Sequence, residues 1–170
     1  MVKRKRRKVK LATLIVMGEG PHDKAFLNHM KGLYDDRKTG QIVKIDSADG
    51  GSPRDIINSV IRKCRHTEFD RRYILLDSDV TIPQQDREKA KKAGIVLVES
   101  KPICIEGMLL DILGQSVPGT NQGCKDSLHP QLSGEPTVAS SYAVLFTQDL
   151  LDNTEKEQII VLRDAISNNS

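Results

Sequence analysis

The sequence predicts an α/β fold: a mainly parallel, Rossmann-like sheet of about four strands flanked by helices, with a helical C-terminal extension. Three observations predict it. Short apolar, partly β-branched runs recur at residues 11–17, 73–76 and 95–98, as expected of strands buried on both faces. Segments with apolar residues at helical spacing lie between them, the alternation of a parallel sheet with right-handed crossovers. The first and third strands stop at acidic turns, where open α/β sheets present groups to ligands.

Each element has a local reason. Strand one, Leu11 to Met17, ends at Gly18-Glu19-Gly20, two glycines around one acid in a tight strand-to-helix turn. Pro21 suits the first helical position. Phe26, Leu27, Met30, Leu33 and Tyr34 then carry a helix to about Tyr34. Asp23 falls in its first turn, as a complement to the helix dipole or as a ligand. After a polar loop, Gln41 to Asp46 reads as the second strand. In the next turn Ser52 is the N-cap, Pro53 the first helical residue and Asp55 the third. Ile57, Val60, Ile61 and Cys64 line one face of that helix. Gly50-Gly51 before it is either a plain turn or a phosphate cradle.

The third strand, Tyr73 to Leu76, ends in Asp77-Ser78-Asp79. Pro83 to Ala93 reads as a charged helix stopped by Gly94. Ile95 to Val98, apolar throughout, is expected to be a central strand. An apolar helix follows through Met108, Leu109, Leu110, Ile112 and Leu113, with Glu106 at its start as dipole complement or fourth ligand. From Gly114 to about Thr137 the pattern dissolves into a long loop holding an isolated His129, a candidate catalytic residue. Ser141 to Leu151 reads as a helix. Thr154 and Glu157 then match a capping box before a last helix through Ile159, Leu162 and Ile166. The organisation is a basic tail at 1–10, an α/β core at 11–115, and a loop with two helices at 116–170 packed on the core.

Composition limits the function. The 170-residue chain can bury a core without staples. No apolar run approaches the roughly 20 residues of a membrane span, and the short N-terminal apolar stretch lacks a signal-peptide cleavage site. Three widely spaced cysteines, Cys64, Cys104 and Cys124, make neither a disulfide framework nor a Cys-x-x-Cys zinc site, which fits a cytoplasmic setting. Lys3, Arg4, Lys5, Arg6, Arg7, Lys8 and Lys10 hold seven of the 26 basic residues; the rest of the chain has 19 against 23 acidic, a net charge of about −4. The tail is therefore the expected attractor of a polyanion, or else a solubilising end. A second basic cluster includes Arg62, Arg65, Arg71 and Arg72, as phosphate contacts or as a helix end.

The chemistry follows from the acidic turns. Glu19, Asp77 and Asp79, brought together past the ends of parallel strands, make the oxygen-rich set that magnesium prefers, with manganese as its substitute. Asp23 and Glu106 are further candidate ligands. A bound magnesium suits phosphodiester hydrolysis, with Glu19 as ligand or proton acceptor and Lys101 or Lys24 offsetting phosphate charge. No Gly-x-Ser-x-Gly elbow or Walker lysine loop is present.

The order Glu19-Gly20 then Asp77-Ser78-Asp79 resembles the TOPRIM domain, shared by topoisomerases, primases and several nucleases. The stretch Gly18-Glu19-Gly20-Pro21-His22-Asp23-Lys24-Ala25-Phe26-Leu27 looks more like the small overcoming-lysogenization-defect nucleases than like the topoisomerases. Ser100-Lys101-Pro102 with Cys104-Ile105-Glu106 and Leu109-Leu110 is similar to the Asn-Pro-Cys-Phe-Glu segment of the RloB-like branch, with Lys101 in place of asparagine and Ile103 between proline and cysteine. The resemblance covers residues 11–113 and implies a magnesium-dependent nuclease, associated in that branch with bacterial phage defence. The alternatives are a catalytically silent module that binds nucleic acid or a protein, and a metal-dependent phosphatase on small phosphates. RNA and DNA are both open as substrates, and aromatic content of 4% offers no evident base-stacking platform. A partner chain or homo-oligomer is expected to supply specificity.

Overall fold

A computed structural model describes residues 11–36, 38 and 40–169. Four parallel strands form one sheet in the order β2-β1-β3-β4: β1 Ala12–Gly18, β2 Gln41–Ser47, β3 Arg71–Asp77 and β4 Ile95–Ser100. Helices α1 Pro21–Tyr34, α2 Pro53–His66 and α3 Gln84–Lys92 connect them. The chain runs outward from β1 to β2, returns to β3 and continues to β4. The order therefore reverses between β1 and β3, and a crevice opens at their carboxyl ends.

Alternation along β1 divides the core. Leu14 and Val16 face a cluster with α1 and the C-terminal half of the chain, while Ile15 and Met17 face one with α2 and α3. All four are fully buried, so β1 is hydrophobic on both faces, as a central parallel strand must be. The expectation of a central fourth strand is overturned. β4 lies at the edge, and Val96 is 44% exposed. An apolar run does not report the position in the sheet, which the crossovers set.

The C-terminal region also departs from expectation. Helix α4 (Ile105–Ile112) is followed by α5 (Asn121–Leu128) and a 3-10 turn at His129–Gln131, where the sequence predicts a long loop. Thr120 caps α5 by accepting the Gly123 N–H at 3.0 Å. The helix expected over Ser141 to Leu151 is instead a 3-10 turn, Ala139–Tyr142, and a separate α6, Gln148–Asn153, capped by Thr147. The Thr154–Glu157 capping box does not form, because Thr154 closes α6 and Lys156 is the residue preceding α7 (Glu157–Ser167). On α2 the buried residues are Ile56, Ile57 and Val60, with Ile61 and Cys64 at the margin.

This C-terminal half shares one apolar cluster with the sheet, through Tyr142, Phe146, Leu151, Ile159, Leu162 and Ile166. Polar ties reinforce it. His29 of α1 contacts the Phe146 carbonyl at 2.6 Å, the Tyr34 hydroxyl donates to Asp152 at 2.7 Å, and Gln41 donates to the Ala165 carbonyl at 3.0 Å. No helix among the described residues is long and apolar enough to cross a membrane.

Candidate metal centre

The crevice between β1 and β3 opens into a cavity of about 460 Å³ lined by Glu19, His22, Asp23, Asp77, Glu106 and Lys125, among others. The first acid, Glu19, follows β1 directly. Its carboxylate accepts the backbone N–H of Asp77 at 2.9 Å, which pins the two acidic turns together. Asn121, at the start of α5, donates to Asp77 at 3.3 Å and to Asp79 at 3.5 Å. Asp79 itself is exposed and does not line the cavity.

Close backbone packing holds the turns. A Cβ on Gly18 would stand 2.7 Å from the Cβ of Asp23, so glycine lets α1 start directly against the strand end. The Ile103 carbonyl accepts the N–H groups of both Ser78 and Asp79, at 2.9 and 3.0 Å, and so ties the turn after β3 to the loop before α4. A Cβ on Gly107 would meet the Pro102 carbonyl oxygen at 2.2 Å, which fixes glycine in the first turn of α4.

Negative charge accumulates with little compensation. Burial and the carboxylates of Glu19, Asp79 and Glu106 push Asp77 up to about 7. Asp23 is 6% exposed, and burial followed by the nearby Asp77 holds its carboxyl well above the usual range. One Asp23 oxygen accepts the Gly20 N–H at 3.0 Å, so the residue does act at the helix start; the other is buried without a partner. That orphaned oxygen, on a residue lining a carboxylate-rich pocket, fits a hard divalent cation of the magnesium type. Glu19 and Asp77 line that cavity with Asp23, whereas Asp79 does not; the ligand atoms that the structure gathers within 4.8 Å of one another are those of His22, Glu106 and His129.

Glu106 is only 3% exposed and bonds to two histidines through one oxygen: His22 Nδ1 at 3.2 Å and His129 Nε2 at 3.1 Å. The two rings meet edge-on with centroids 4.8 Å apart. Burial, outweighing the attraction of Glu106, lowers the His22 pKa. His129 is thus not isolated. Sequence reasoning misses His22 as a site residue, although it sits beside Asp23 in the turn after Glu19. It also misses Lys125, which lines the cavity from a segment with no visible helical pattern.

Other expected site residues stand elsewhere. Lys101 is exposed and lines a separate cleft with β4 and α7 residues, away from the acidic cavity. Lys24 pairs with Asp46 at 3.9 Å, and Asp46 also binds Lys63. Arg72 donates to the Phe69 and Ala93 carbonyls at 3.3 and 2.7 Å, and Arg71 to Gln41 at 3.3 Å and Tyr73 at 3.2 Å. Both begin β3, at the end of the strand opposite Asp77, roughly 20 Å away. Arg62 and Arg65 are exposed near the end of α2, which leads into that same far edge. The tail residues Lys3, Arg4, Lys5, Arg6 and Arg7 lie outside the described residues. Of Gly50-Gly51, Gly50 lines the cavity but donates its N–H to the Glu19 carbonyl at 3.2 Å. Against known proteins, no family model, no curated protein and no solved structure matches this chain.

Proposed function

We propose that the chain is a divalent-metal-dependent hydrolase of phosphodiester bonds in nucleic acid. The observation that carries the reading is the convergence of Glu19, Asp23 and Asp77 on one cavity at the sheet's switch point, with a buried Asp23 oxygen left without a partner. Magnesium or manganese, when bound, supplies a polarised phosphoryl oxygen and an activated water. Glu19, Asp77 and Asp79 are its holders in this reading. Asn121 orients the two aspartates, and Lys125 attracts the substrate phosphate and offsets its charge. The basic tail adds sequence-independent attraction for the polyanion, and a partner chain or second copy would supply specificity. Three free cysteines, two of them buried, suit a reducing cytoplasm.

A cavity of about 460 Å³ is also the size of a small-molecule site, which favours a small phosphate ester as the second reading. One experiment separates them. Total tRNA, single-stranded RNA, supercoiled and linear DNA, and mononucleotides are incubated with wild type, Glu19→Ala and Asp77→Ala in magnesium, manganese or chelator. Polymer cleavage that needs metal and vanishes in both variants is expected. Turnover confined to mononucleotides selects the second reading, and cleavage that survives both substitutions rejects the site.

A further inference from the structure

The cluster of His22, Glu106 and His129 is unlike the rest of the cavity, because it offers nitrogen. Three elements bring it together: the first turn of α1, the first turn of α4, and the turn after α5. One nitrogen from each ring and one Glu106 oxygen lie within 4.8 Å of one another. A buried carboxylate needs partners, and a single histidine would serve as one. Here two imidazoles converge on the same oxygen, at 3.2 and 3.1 Å. Zinc–ligand bonds of about 2.0–2.1 Å in a tetrahedron set neighbouring ligands about 3.3 Å apart, close to the two nitrogen–oxygen separations, while the two ring nitrogens lie within 4.8 Å of each other.

We propose that His22, Glu106 and His129 form a binding site for a transition-metal dication, zinc foremost, separate from the oxygen site of Glu19, Asp77 and Asp79. Imidazole suits zinc, whereas magnesium takes oxygen ligands in octahedral geometry, so the two sets select different ions. Three protein ligands leave a fourth position open, the arrangement of zinc sites that exchange water or substrate. His22 and Glu106 line the cavity, so that position faces the space a phosphate would enter. The site stands whether or not the chain cleaves phosphodiesters.

The test is zinc titration of the metal-stripped full chain by calorimetry in excess magnesium, with cobalt absorption as the coordination probe. One zinc per chain is expected, with visible cobalt bands of nitrogen ligation. His129→Asn and His22→Asn keep a polar side chain beside Glu106; each is expected to weaken zinc by more than the ~10–100-fold typical of a supporting residue. Asp79→Asn is expected to leave zinc affinity within about threefold and circular dichroism unchanged. Absence of zinc binding, zinc binding indifferent to both histidine variants, or zinc binding lost in Asp79→Asn would overturn the proposal. Zinc binding without nuclease activity rejects only the hydrolase reading, and nuclease activity without zinc binding rejects only this one.

Discussion

The Glu19 carboxylate accepts the backbone N–H of Asp77 at 2.9 Å, across the pairing of β1 with β3. Glu19 therefore has two tasks, to align the second acidic turn and to present its other oxygen to the cavity. Substitution separates them. Glu19→Gln keeps an acceptor for the Asp77 N–H but loses the charge, so its melting temperature should stay near wild type. Metal-dependent cleavage should fall, by about 10²–10⁴-fold if Glu19 is the proton acceptor and not only a ligand. Parallel thermal melts and cleavage assays check both halves.

The raised Asp77 carboxyl gives stability a pH dependence of known sign. With a folded pKa of about 7 against ~3.9 unfolded, the folded chain holds more protons over that interval. The contribution is fully present at low pH and is lost as pH rises through about 7. In chelator at pH 8, Asp77→Asn should be more stable than wild type by about 1–2 kcal/mol, discounted for the partial exposure of Asp77. That corresponds to roughly 2–8 °C. The gap should narrow as pH falls below about 7 and close near pH 4, the unfolded value, and melts across that range in chelator would show it.

Packing predicts opposite outcomes for three glycine-to-alanine changes. Gly107→Ala drives a Cβ into the Pro102 carbonyl and should cost about 2–3 kcal/mol, and Gly18→Ala, meeting Asp23, about 1–3 kcal/mol. Gly32 lies exposed in the body of α1 with nothing within 4 Å of an added Cβ. Gly32→Ala should stabilise by about 0.5–1 kcal/mol. Urea titrations read all three.

The two basic clusters should behave differently. Arg72→Ala removes donors to the Phe69 and Ala93 carbonyls, and should destabilise by about 1–2 kcal/mol with little change in nucleic-acid affinity. Removing residues 1–10 should flatten the salt dependence of binding. For duplex DNA, the slope of log affinity against log salt becomes shallower by about 0.9 for every phosphate the shortened chain no longer neutralises. An unchanged slope would exclude the tail as the anchoring element.

The legible parts of the fold are those that short-range chemistry writes out. Gly18-Glu19-Gly20-Pro21 and Ser52-Pro53-Arg54-Asp55 mark strand-to-helix turns by backbone needs alone, and both helices start as expected. The edge position of β4 is not legible, because Ile95-Val96-Leu97-Val98 looks the same in the centre or at the margin of a sheet. Helix α5 is hidden because Asn121-Gln122-Gly123-Cys124-Lys125-Asp126-Ser127-Leu128 buries only Cys124 and Leu128. Its missing pattern also conceals Asn121, Lys125 and the approach of His129. Of the acidic set, Glu19 and Asp77 announce themselves by following strands. The link from Glu106 to His22 and His129 joins positions 84 and 23 residues apart, which only the folded chain brings together.

The Ile103 carbonyl, bonded to two successive amides of the β3 turn, makes the turn bearing Asp77 and Asp79 and the loop leading to Glu106 one frame. The separation of the Asp77 turn from the histidine-bound Glu106 is then held in part by main chain. On the proposed readings, the two sites should discriminate among ions by ligand chemistry, at a separation that those two backbone hydrogen bonds help to hold.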